Sequence, residues 1–149
     1  MDSIELRGFR PLDEDFIYHS WLSSIRNEYP GSEKVTRLLI DKLLPTGECE
    51  VLVACEEEEP DHILGWLVAG EVPDAAKALH FVFVKRAFRR GGLGTALVNK
   101  VFGKDRSEKV LCSYWTFQAQ QYSLKDKWRL KYNAFLLPAA LNEGSSLQS

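Results

Sequence analysis

Residues 79–98, Leu-His-Phe-Val-Phe-Val-Lys-Arg-Ala-Phe-Arg-Arg-Gly-Gly-Leu-Gly-Thr-Ala-Leu-Val, constrain the fold more than any other stretch of the chain. The apolar run over 79–85 predicts a buried strand. Leu93, Ala96, Leu97, Val101 and Phe102 then recur at helical spacing until Gly103-Lys104 gives a stop signal. Between strand and helix lie a short basic turn and three glycines. A helix start carries unpaired backbone N–H groups and a partial positive charge, so it attracts anions. Gly91, Gly92 and Gly94 remove the side chains that would hold a phosphate away from the backbone, and Arg89 and Arg90 add fixed cations suited to bidentate contacts. These residue types describe a pyrophosphate cradle.

Around it, the sequence is that of one ordinary domain. Its 149 residues suffice for a single core, with 45% hydrophobic and 27% charged residues. A formal net charge of −2 exerts no general pull on nucleic acid or an anionic membrane. The N-terminus, Met1-Asp2-Ser3-Ile4-Glu5, lacks the apolar core of a signal peptide, and no run approaches a membrane span. The expected location is therefore cytoplasmic. Cys49, Cys55 and Cys112 have no metal-ligand spacing and read as small buried thiols, Cys112 being the one weighed as a nucleophile. His19, His62 and His80 fall in separate elements, so no metal is expected.

Taken in order, Ile4 to Arg7 alternates as a half-buried strand ended by Gly8 and Pro11. A helix starting near Asp13 carries Phe16, Ile17, Trp21, Leu22, Ile25 and Tyr29 on one side, and a second follows Ser32 to end before Pro45. Residues 50–55 and 63–70 read as strands joined by the charged hairpin Glu56-Glu-Glu-Glu-Pro-Asp-His, whose carboxylates serve as a solvated turn. A polar connection from Glu71 to Lys77 leads to the strand over 79–85. Past the glycine loop and its helix come a strand from Val110, a helix from Tyr122 to Leu130 and a last strand from Lys131. The order β-α-α-β-β-β-α-β-α-β predicts an α/β fold with a mixed sheet and helices on its faces. Residues 1–138 form one domain, and the polar tail 139–149 frays.

Three phosphate-binding loops compete for the glycines. A Walker loop needs Lys-Ser/Thr after its last glycine, but Gly94 is followed by Thr95-Ala96. The dinucleotide fingerprint needs a third Gly or Ala where this chain has Leu97. Arg/Gln-x-x-Gly-x-Gly/Ala fits without adjustment, as Arg89-Arg-Gly-Gly92-Leu-Gly94. With the strand and basic lead-in before it, this stretch resembles the GNAT superfamily of acetyl-CoA-dependent N-acetyltransferases, and the element order over residues 3–137 is similar to that family's.

That resemblance implies the GNAT fold, acetyl-CoA as co-substrate and an amine acceptor attacked directly in a ternary complex. It implies that Arg89, Arg90, Gly91, Gly92, Leu93, Gly94 and Thr95 hold the CoA pyrophosphate. Val82, Phe83 and Val84 would pair through their backbone with the pantetheine arm, as an added strand would. His80 is the candidate base, since imidazole titrates in the useful range, with a hydrogen-bonded strand histidine as the alternative. Glu48 and Glu71, at strand ends, could act through water. Tyr122 is the candidate acid for the leaving thiolate, while Tyr114 and Tyr132 read as structural.

Ser20-Trp-Leu-Ser-Ser-Ile-Arg26 and Tyr132-Asn-Ala-Phe-Leu-Leu resemble small members of the family encoded by bacteriophages. That would place the protein in the host cytoplasm and make an aminomethyl group on modified phage DNA an alternative acceptor. The acidic charge balance argues against tight DNA binding. Outside the enzyme class, two readings remain: a CoA-binding module without turnover, and a nucleic-acid adaptor using Lys85, Arg86, Arg89 and Arg90. The residues leave the acceptor, whether small molecule or macromolecule, and the oligomeric state open, a dimer included.

Overall fold

Two strands of apolar residues, β2 (Glu50–Glu56) and β3 (Ile63–Val72), fold back on each other across the acidic hairpin, where the Glu56 amide donates to the His62 carbonyl at 3.2 Å. They are the middle of a six-stranded sheet ordered β1-β2-β3-β4-β5-β6. β1 (Ile4–Gly8) lies outside β2, and β4 (Ala75–Val84) lies inside β3, all antiparallel. β5 (Val110–Cys112) and β6 (Leu130–Tyr132) complete the sheet in parallel. The structure, a computed structural model, describes residues 3–28, 31–44, 49–72, 75–89, 91–104, 109–114 and 130–133.

Among the described residues, three helices cover the two faces. α1 (Glu14–Glu28) and α2 (Glu33–Leu43) bury Ile17, Trp21, Ile25, Leu39 and Ile40 against Val53, Trp66, Val68 and Phe81. On the opposite face α3 (Leu93–Phe102) buries Leu93, Leu97 and Val98 against Ala54, Leu64, Leu67, Leu79 and Val84. The alternation along β2 to β4 thus feeds two separate cores. Among the described residues no helix is long and apolar enough to cross a membrane.

The sheet's outer corner is pinned by charge. Arg7, the polar member of the β1 alternation, is buried and forms a two-pronged pair with Asp13 at 2.8 and 2.9 Å. It also donates to the carbonyls of Gly8 and Pro60. Asp13 lies in a 3-10 turn (Pro11–Asp13) ahead of α1, where its carboxylate takes the Arg10 amide at 2.7 Å. One ion pair therefore ties β1, the start of α1 and the hairpin tip.

The structure corrects three details of the sequence reading. β3 and β4 run on to Val72 and back from Ala75, so the predicted connection over 71–77 is mostly ladder. The Ala-Ala-Lys-Ala run at 75–78 has low strand propensity, and sheet pairing overrides it. Leu130, expected to end a helix, is a buried residue of β6, while 122–129 lie outside the described residues, as does the tail from 139. Tyr132 is 42% exposed rather than core.

β3 and β4 meet closely at Gly65. A Cβ there would lie 2.6 Å from the Phe83 carbonyl oxygen and 3.4 Å from the Val84 Cα, both backbone atoms. Neither strand can yield without breaking ladder bonds. Gly65→Ala is expected to destabilise by about 1–3 kcal/mol, the usual range for overpacking. Urea unfolding checks this, and a midpoint equal to wild type would show that the strands separate freely.

Candidate functional site

The site is built where β4 and β5 part company. Among the described residues the two strands pair at Ala78–Leu111 and Leu79–Cys112, followed by a bond from the Ser113 amide to the Leu79 carbonyl at 3.0 Å. Beyond that point Tyr114 turns to the other face, packing edge-on against Phe81 and hydrogen-bonding Thr36. Burial, opposed by the Thr36 bond, pushes the Tyr114 phenol up to about 12, so it stays protonated as a structural group. Residues 81–84 of β4 have no strand beside them on that edge among the described residues.

The backbone polarity of this edge follows from the ladder. The Lys85 amide donates to the Leu64 carbonyl across β3, so Lys85, Phe83 and Phe81 spend their amide groups on β3. Val82 and Val84 point theirs the other way, toward the gap. The Val84 carbonyl is taken by Arg89, whose Nε donates to it at 2.8 Å. Val82 presents an amide and a carbonyl to the open edge. Of the three strand residues singled out, Phe83 contributes a half-buried ring stacked near Trp66 rather than a free edge.

Past the strand, a 3-10 turn (Arg86–Phe88) leads to the glycines. Gly92 caps α3 in the left-handed region, φ +83°, and a Cβ there would meet nothing within 4 Å. The helical ladder begins with the Ala96 amide on the Gly92 carbonyl at 2.9 Å, leaving the Leu93 and Gly94 amides ahead of it. Gly91 and Gly92 are exposed, while Leu93 and Gly94 are buried against the sheet. The loop thus leaves backbone N–H groups at an exposed helix start. Arg90 lies outside the described residues, as do Tyr122 and Glu48.

His80 is where the structure departs most from simple alternation. Val68 pairs with Phe81 and Ala69 with Leu79, so His80 is an extra residue, a β-bulge. Strand parity would put it with Val82 and Val84 on the α3 face. The bulge instead swings it onto the α1/α2 face, where its ring lies over Gly70, whose Cβ would sit 3.0 Å from Nε2. Nδ1 is 2.9 Å from the Ser113 hydroxyl on the far side of the β4–β5 junction. The ring is 1% exposed, and Nε2 has no partner among the described residues. Burial pushes its pKa down to about 4, so the imidazole is neutral at pH 7. Glu71 is exposed near the far end of β3.

The remaining candidates separate cleanly. Burial pushes the Cys112 thiol up to about 12, which removes it as a nucleophile at neutral pH. The hairpin brings ligand-type atoms of Glu56, Glu59 and His62 within 4.8 Å, which sequence spacing did not reveal. There the Glu56 carboxylate is already paired with His62 Nδ1 at 2.7 Å.

The family model for the acetyltransferase (GNAT) family matches residues 15–126. The chain belongs to that family. Its mixed sheet and three helices are the GNAT fold, and solved GNAT structures superpose on it. A Brucella melitensis acetyltransferase solved with acetyl-CoA is 21% identical over 68% of this chain and 67% of that one, TM-score 0.54. A Clostridium difficile protein described as a possible acetyltransferase is 19% identical over 87% and 93%, TM-score 0.59. A Desulfovibrio desulfuricans GNAT protein is 22% identical, TM-score 0.51, and this chain spans 63% of its length, just under two thirds. No curated protein sequence matches significantly.

Proposed function

We propose that this GNAT chain transfers an acetyl group from acetyl-CoA to a primary amine, by direct attack in a ternary complex. The observation that carries the reading is the left-handed Gly92 at the start of α3, following a strand whose Val82 edge is unpaired among the described residues. The Leu93 and Gly94 amides suit a pyrophosphate, with Arg89 and Arg90 flanking it and Gly91 and Thr95 completing the loop. The Val82 amide and carbonyl suit the amide groups of a pantetheine arm. Arg89, by holding the Val84 carbonyl, fixes the loop to the strand end that it follows.

Acetyl-CoA, when bound, supplies an activated thioester carbonyl. The acceptor must reach it as a neutral amine. An alkylamine with a pKa near ~10.4 is almost wholly protonated at pH 7, a handicap of roughly 4–5 kcal/mol. We assign the removal of that proton to His80, whose neutral Nε2 lies over Gly70 of β3 without a partner among the described residues. Tyr122 is assigned the return of a proton to the departing thiolate. Acetyl-CoA consumption across polyamines, aminoglycosides, peptides and aminomethyl-bearing DNA tests the reading, and no transfer to any amine would overturn it.

The loop has its own test. Gly92→Val should weaken CoA binding at least tenfold, but a β-branched residue at φ +83° also strains the backbone by roughly 1–2 kcal/mol. Gly92→Asn tolerates that conformation and still places a side chain at the start of α3. Calorimetric titration with CoA is expected to show weaker binding in both variants. Wild-type affinity in Gly92→Asn would remove the loop from the site.

A further inference from the structure

We infer that Ser113 is a positioning residue, which holds the His80 imidazole as its Nδ1–H tautomer and so leaves the lone pair on Nε2. The inference rests on the reading of His80 as the base. His80 and Ser113 are each 1% exposed, so the pair must settle its protons without bulk water. Their contact at 2.9 Å fits either of two arrangements. In one, the serine hydroxyl donates to Nδ1 and the imidazole proton sits on Nε2. In the other, Nδ1–H donates to the serine oxygen, and the hydroxyl turns toward the Leu79 carbonyl, 3.5 Å away.

Two observations favour the second. First, Nε2 has no partner among the described residues. A proton there would be a buried donor with no acceptor, and such donors are rarer than under-used acceptors. Second, Nε2 faces the Cα of Gly70, where the position of a Cβ lies 3.0 Å away. The hydrogen that glycine carries in that direction is a weak C–H donor, compatible with a lone pair and repelled by an N–H. The long hydroxyl contact to Leu79 is the cost of this arrangement, eased because that carbonyl already accepts the Ser113 amide at 3.0 Å.

The position of Ser113 makes the device specific to this junction. It is the first residue after β5, bonded by its amide to the Leu79 carbonyl of β4. Its hydroxyl therefore reaches the bulged histidine across the gap while its backbone fixes the distance. With the proton on Nδ1 and accepted by Ser113, the lone pair on Nε2 is the one left to accept a proton.

The test labels the imidazole nitrogens with 15N and reads which one carries the proton, in wild type, Ser113→Ala and Ser113→Thr. His80→Gln assigns the signal among the three histidines. Wild type is expected to show Nδ1–H. Ser113→Ala should move the proton toward Nε2 and lower kcat/KM roughly 10- to 100-fold, as loss of an outer partner of a ring nitrogen does. Ser113→Thr, which keeps the hydroxyl, should restore both. An Nε2–H tautomer in wild type, or an unchanged tautomer in Ser113→Ala, overturns the inference whatever the rates do. A wild-type rate in His80→Gln instead overturns the base reading, and the tautomer measurement then stands by itself.

Discussion

Asp13→Ala is expected to destabilise the protein by about 3–5 kcal/mol, because it leaves the Arg7 guanidinium buried without a counter-charge. Arg7 would keep only the carbonyls of Gly8 and Pro60, and the Arg10 amide would lose its acceptor. Asp13→Asn retains an acceptor for that amide and should cost less. Replacing both partners, Arg7→Met with Asp13→Leu, should recover much of the loss, since apolar side chains need no compensating charge. Urea unfolding of the three variants decides the matter. Equal midpoints for wild type and Asp13→Ala would mean that the pair is solvated in solution. Burial alone would raise the Asp13 carboxyl, but the bonds from Arg7 and the Arg10 amide and the Arg7 charge outweigh it and lower its pKa. Its contribution is thus fully present above the unfolded value near 3.8 and is lost only as pH falls through the lower folded value.

The second large effect belongs to His80 and appears in a different pH window. In the unfolded chain this imidazole titrates near 6.5, whereas in the fold burial holds it at about 4. Between those values the unfolded state binds the proton and the folded state does not, so stability falls as pH drops. The loss should reach about 3 kcal/mol by pH 4, at 1.36 kcal/mol per unit. His80→Gln should flatten that slope between pH 6.5 and 4 while leaving the Asp13 transition below it. Unfolding midpoints at pH 7, 5.5 and 4.5 read this directly, and a slope that survives in His80→Gln assigns it to another group. The same substitution should lower kcat/KM by about 100-fold or more. In wild type the limb due to the base should lie near pH 4 rather than near 6.5, so a limb at 6.5 would count against His80.

These two residues show how far sequence reasoning reaches. Arg7 and Asp13 looked like a surface strand residue and a helix-start signal, because alternation and capping rules describe neighbours along the chain. Their pairing is made by the turn back toward β1 and by the hairpin tip at Pro60. The chemistry of His80 marks it as a candidate, but alternation along the strand does not give its face. One inserted residue reverses every side chain beyond it, and nothing in Leu-His-Phe-Val-Phe marks where the bulge lies. Ser113 was missed altogether, its only sequence signal being a small polar residue at the end of an apolar run. The polar reading of residues 71–77 failed for a related reason. Pairing with β3 and the Lys77 contacts with Glu50 and Phe102 hold a strand there that propensity alone does not favour.

What the sequence determined by itself is local and periodic. The strand before the glycines, the helix after them and the need for a residue without a side chain at position 92 all follow from neighbours within a few residues. A left-handed φ at a helix start is a local demand. So the family and the glycine turn into α3 were legible in residues 79–98. The tertiary structure decided what two distant segments do to each other. It set the register of β4 against β5, and that a bulged histidine meets Ser113, 33 residues on. Those contacts depend on register and strand splay, which are set by packing both faces of the sheet at once, and no window of sequence encodes them.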